Sequence, residues 1–115
     1  MSPYKKKKRA SILKEIVIPL RKTLRHIYGS RLVGLRIYGS YARGEEKKNS
    51  DLDMAMILKD FDTAWREIER TSEIVSDLSL ASGITVSLIP VRFQDWRNKD
   101  KPLIRNIRRE GLTTL

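Results

Sequence analysis

The chain has 115 residues, with 24 Lys plus Arg against 14 Asp plus Glu and no cysteine. That length suits one domain around a single core and excludes a catalytic domain joined to a separate acceptor-binding domain. The lack of cysteine excludes a disulfide framework, a thiolate metal site and a cysteine nucleophile.

The chain opens with Lys5, Lys6, Lys7, Lys8 and Arg9 and no acid, so residues 1–9 are expected to form a basic tail before a single domain over 10–115. Lys14 and Glu15 break the apolar stretch that follows, and no segment reaches the about 20 apolar residues of a membrane span. A soluble, cytoplasmic protein is expected. Ser11 caps a predicted helix in which Leu13, Ile16, Val17, Leu20, Leu24 and Ile27 recur at helical spacing. Pro19 should kink it or loosen one of its turns, and Gly29 should end it, with His26 as a helix-terminal charge or a packed side chain.

Leu32–Tyr38 alternates as a strand, with Val33, Leu35 and Ile37 on one face, and stops at Gly39-Ser40. A turn or short helix over 40–50 leads to a second strand, Asp51 to Leu58. Alternation there places Asp51, Asp53, Ala55 and Ile57 on one face and Leu52, Met54, Met56 and Leu58 on the other. Asp60 or Asp62 caps the next helix, whose stripe Phe61, Trp65, Ile68, Val75 and Leu78 faces the core until Gly83. A third strand, Ile84 to Ile89, ends at Pro90. A polar turn holding Phe93 and Trp96, as core cover or as a platform for a base, follows, then a short basic helix, Pro102 to Glu110, stopped by Gly111. The order predicts an α/β (α+β) fold: a small mixed β-sheet flanked by helices.

Residues 92–115 hold seven bases against three acids, whereas the stretch between the two basic ends carries twelve bases and eleven acids. Charge gathered at the ends points to an anionic partner: nucleic acid, a nucleotide polyphosphate or an acidic protein face. The near-neutral middle holds the chemistry. For Gly39-Ser40 and Asp51-Leu52-Asp53 to form one site, the first two strands must run antiparallel. Glycine lets a ligand approach the backbone, and the N–H groups with the Ser40 hydroxyl suit a phosphate. Two carboxylates on one strand face, with no His or Cys nearby, are hard oxygen ligands suited to Mg²⁺.

Tyr38-Gly39-Ser40-Tyr41-Ala42-Arg43-Gly44, with ten residues separating Ser40 from Asp51-Leu52-Asp53-Met54, resembles the minimal nucleotidyltransferases of the DNA polymerase beta superfamily. The likeness runs from Ser11 to Ile89 and returns in Arg105-Asn106-Ile107-Arg108-Arg109-Glu110-Gly111. It implies the palm-like nucleotidyltransferase fold, Gly39 and Ser40 on the triphosphate of ATP, and Asp51 and Asp53 as the catalytic pair on two Mg²⁺ ions. Arg43 either contacts phosphate or braces the turn against Glu45 or Asp51. Active members carry a third carboxylate on the strand matching Ile84–Ile89, where this chain offers only Ser87 or Thr85, which favours one metal over two. Glu73, Asp77 and Asp95 lack the spacing to replace it.

The resemblance also implies a function: transfer of AMP to a tyrosine hydroxyl of a helical HEPN-type ribonuclease, the pair acting as antitoxin and toxin. A chain too short for its own acceptor lobe needs another protein or subunit, in a homo- or hetero-oligomer, to present the hydroxyl. The basic C-terminal helix is the expected contact. The rival is a catalytically weak or inactive module that binds nucleotide or a partner protein, favoured by the missing acid. A nucleic-acid role rests only on the basic ends.

Overall fold

A computed structural model describes residues 3–98, 101–110 and 112–113. In chain order the elements are α1 (Pro3–Ile12), a π turn (Leu13–Val17), α2 (Ile18–Tyr28), a 3₁₀ turn (Gly29–Arg31), β1 (Leu32–Tyr38), α3 (Ser40–Arg43) and β2 (Leu52–Leu58). Then follow α4 (Ala64–Ser82), β3 (Val86–Arg92), α5 (Phe93–Trp96), α6 (Pro102–Glu110) and β4 (Leu112–Thr113). No helix among the described residues is long and apolar enough to cross a membrane.

The sheet order is β3-β2-β1-β4. β1 runs antiparallel to β2, as the motif required, and β2 runs parallel to β3, so the sheet is mixed. β4, which sequence periodicity does not signal, pairs Leu112 and Thr113 with Ile37 and Arg36 at the far edge of β1. One face of the sheet buries Leu35, Leu52, Met54, Met56, Leu58, Val86 and Leu88 against α1, α2 and α4. The other packs Ala55, Val91 and partly buried Tyr38 and Ile89 against Ile104 and Ile107 of α6, with Trp96 alongside. Alternation along the strands thus separates two cores, one on each face.

Five local readings are corrected. From Pro3 onward the expected tail is the start of α1, and Ser11 lies inside that helix rather than capping it. Lysine is a good helix former, so the chain has no reason to break between Arg9 and Ser11. Pro19 lacks an N–H, and the turn before it widens until the Ile18 N–H reaches the Leu13 carbonyl, five residues back. That widening re-phases the helix: Ile12, Ile16, Val17, Leu20 and Leu24 are buried while Leu13 is 47% exposed. In β1 the register slips between Leu32 and Gly34, so Val33 is the unpaired residue of a bulge and lies exposed. β3 spans Val86–Arg92, running through Pro90, because it is an edge strand where a missing donor costs no ladder bond.

The fifth concerns α4, which is capped by the Thr63 hydroxyl accepting from the Arg66 N–H at 3.2 Å, not by Asp60 or Asp62. Its inward face carries Glu67, Thr71 and Leu78, whereas Trp65 is 68% exposed and Ile68 also faces solvent. Glu67 is buried because its carboxylate accepts from the Tyr28 hydroxyl at 2.8 Å and from Arg70 Nη1 at 3.2 Å. A buried charge so partnered is tolerated, and it ties α2 to α4. Gly29 and Gly83 end their helices with positive φ, as read from sequence. Gly111 lies outside the described residues.

Candidate functional site

β1 carries the chain to Gly39, whose φ of 76° and ψ of −154° turn it sharply into the single helical turn α3. That backbone conformation belongs to glycine. Space makes the same demand: a Cβ on Gly39 would lie 2.5 Å from Asp53 Oδ2. The Arg43 N–H returns to the Gly39 carbonyl at 3.2 Å and the Glu45 N–H to the Ser40 carbonyl at 2.9 Å, closing the turn. Gly44, with φ 70°, ends it. The loop then folds back as the Ser50 hydroxyl accepts from the Lys47 N–H at 2.8 Å and the Ser50 N–H donates to the Lys47 carbonyl at 3.0 Å. This delivers Asp51 to the start of β2.

Register brings the rest together. Tyr38 pairs with Asp53 across β1 and β2, and Asp53 pairs with Ser87 across β2 and β3. In-register neighbours share a face, so Tyr38, Asp53 and Ser87 stand side by side, with Asp51 one strand period before Asp53. Thr85 sits just before β3, where its carbonyl accepts from the Leu52 N–H at 2.8 Å and pins the strand start. Thr85 also lines a pocket of about 110 Å³ with Tyr41, Lys48, Asn49, Ser50, Gly83 and Ile84.

The electrostatics are those of a crowded acidic pair. Burial pushes the Asp53 carboxyl up from its ordinary value, the Asp51 charge adds to that rise, and Arg43 opposes it. Burial and then Asp53 likewise push the Tyr38 hydroxyl up. Arg43 Nε donates to Glu45 Oε2 at 2.9 Å with both side chains solvent-accessible, so it braces the turn while remaining within electrostatic reach of Asp53. Two crowded carboxylates of this kind suit one divalent cation, which would offset their repulsion.

No group of three metal-ligating side chains occurs among the described residues. Ser87, which is not an acid, stands across from Asp53. Glu73 and Asp77 lie on α4, behind the sheet and beside Thr23 and Ile27. Asp95 follows the far end of β3 and accepts from Lys101 at 2.8 Å. Sequence reasoning missed the Glu67–Tyr28 pair, which lies on the helical side of the sheet. Its one signal was that Glu67, Thr71 and Leu78 share a helical stripe.

Comparison with known proteins gives the family and the fold. The family described as "Polymerase beta, Nucleotidyltransferase" matches residues 23–113. A candidate protein adenylyltransferase of Methanocaldococcus jannaschii is 32% identical over 75 residues, covering 65% of this chain and 75% of its own. Among solved structures, a toxin–antitoxin with AMP-PNP superimposes with a TM-score of 0.58 at 21% identity, covering 84% of this chain and 71% of the other. A candidate minimal nucleotidyltransferase gives 0.53 at 24% identity, covering 87% and 93%. At these identities the structural likeness is one of fold.

Proposed function

The chain belongs to the polymerase beta nucleotidyltransferase family, and on that premise we propose that it binds a nucleoside triphosphate, ATP, at Gly39-Ser40 and transfers AMP to a hydroxyl of a partner protein. The observation that carries this reading is the packing of the Asp53 carboxylate against Cβ-less Gly39, with Asp51 one strand period away. Gly39 lets polyphosphate and carboxylate approach the same few ångströms of backbone. Ser40 donates its hydroxyl to phosphate, and Arg43 holds the turn through Glu45. Asp51 and Asp53 would hold one Mg²⁺, which when bound neutralises phosphate charge and the departing pyrophosphate.

In the reaction the acceptor oxygen forms a bond to the α-phosphorus, the α–β bridging P–O bond breaks, pyrophosphate leaves and the acceptor's proton passes to solvent. Ser87 cannot take that proton at neutral pH, because a serine hydroxyl is a neutral donor and acceptor. The acceptor is a tyrosine on a helical HEPN-type toxin for which this chain is the antitoxin. The name of the M. jannaschii relative supports AMP transfer to a protein, and the AMP-PNP-bound toxin–antitoxin neighbour supports an antitoxin role; the tyrosine and the HEPN-type partner rest on the family resemblance. Ser87 favours a second reading, a module that holds nucleotide and partner without transfer.

The two separate in one experiment: the protein is incubated with α-labelled ATP, Mg²⁺ and the protein encoded beside it, with an Asp53→Asn control. Label on the partner that disappears in the control supports transfer. ATP binding without label leaves the binding module, and label that persists in Asp53→Asn overturns the site assignment.

A further inference from the structure

Helix α1 buries Ile12, one turn before buried Ile16, against the main core. Lys8 stands four residues before Ile12 and so on the same face, one turn further toward the N-terminus. There the helix has run past the apolar core and meets α3. Lys8 Nζ lies over the Tyr41 ring, 5.3 Å from its centroid. Tyr41 is buried and directly follows Ser40, so a fixed aromatic ring holds a cation beside the turn that starts at Gly39.

Asp51 and Asp53 are acidic, and Arg43 donates to Glu45. Lys47 and Lys48 are exposed on the loop beyond. A polyphosphate chain lying along Gly39-Ser40 would meet two carboxylates on one side, and among the described residues Lys8 is a cation that α1 brings to the turn.

We infer that Lys8 is a specificity residue for the polyphosphate: its ammonium meets the β- and γ-phosphates of the nucleotide and separates triphosphates from monophosphates. The inference rests on the nucleotide site proposed above. It gives the first helix a part in the site, although Lys8 is separated from Asp51 by 43 positions of sequence.

The test titrates ATP and AMP, each with Mg²⁺, into the full chain and into its Lys8→Met and Lys8→Arg variants, with thermal melts alongside. Lys8→Met keeps the apolar stem on Tyr41 and removes only the charge. It should weaken ATP about tenfold, AMP less than about twofold, and leave the melting temperature in place, while Lys8→Arg restores ATP binding. ATP affinity should also fall less steeply with added salt in Lys8→Met than in the parent. Unchanged ATP affinity in Lys8→Met, or equal weakening of ATP and AMP, overturns the inference and leaves the nucleotide site standing. A parent protein that binds neither nucleotide overturns the site itself.

Discussion

Replacing Gly39 with alanine tests the site through two separable penalties. The first is conformational: a residue with a side chain held at φ 76° and ψ −154° costs about 1–3 kcal/mol. At about 4 °C per kcal/mol for a domain of this size, the melting temperature should fall by about 4–12 °C. The second is steric. The new Cβ would lie 2.5 Å from Asp53 Oδ2, against 3.0 Å for the tightest real contacts and 3.4 Å for ordinary ones, so the carboxylate must retreat by roughly 0.5–0.9 Å. Misplacement on that scale at a reacting centre costs about 10²-fold in rate.

Gly83→Ala supplies the control, because Gly83 also has positive φ, at 75°, but a Cβ there meets nothing within 4 Å. Both variants should lose stability in thermal melts, and only Gly39→Ala should lose Mg²⁺–ATP affinity by calorimetry and label transfer from α-labelled ATP. Equal Mg²⁺–ATP affinity in Gly39→Ala and Gly83→Ala would refute the claim that Gly39 exists to make room for Asp53.

Asp53→Asn should raise the melting temperature of the metal-free protein at pH 7. Burial and Asp51 raise the folded-state carboxyl above its ordinary 3.8, so the stability tied to its proton is fully present below that value and lost as pH rises through the folded-state pKa. The gap between variant and parent should therefore close in melts taken toward pH 3, and added Mg²⁺ should stabilise the parent more than the variant. Ser87→Asp, which puts a carboxylate directly across from Asp53, should increase transfer by about 10²–10⁴-fold if a general base is what the strand lacks; an unchanged rate in the labelling assay would locate the limit elsewhere. Tyr28→Phe removes a hydrogen bond to the buried Glu67 carboxylate and should cost about 1.5–3 kcal/mol in urea titrations. Trp65→Ala, at an exposed position, should change stability by no more than about 0.5 kcal/mol.

By itself the sequence determined the parts of this protein that follow from short-range rules. Alternation over Leu32–Tyr38 and Leu52–Leu58 set two strands, and Gly29 and Gly83 stopped the helices where they do. Gly39-Ser40 and Asp51-Leu52-Asp53 were legible because turn chemistry and strand period are local. The tertiary structure decided what depends on partners distant along the chain. It turned α4 so that Glu67, satisfied by Tyr28 on another helix, went inward and Trp65 went out, where hydrophobicity alone would have placed them the other way. It set Ser87 opposite Asp53 through a parallel pairing that only the crossover by α4 permits. It also carried Lys8, read from sequence as part of a tail, onto the ring of Tyr41. In each case the sequence supplied a residue able to go either way, and a contact between elements far apart along the chain selected one arrangement.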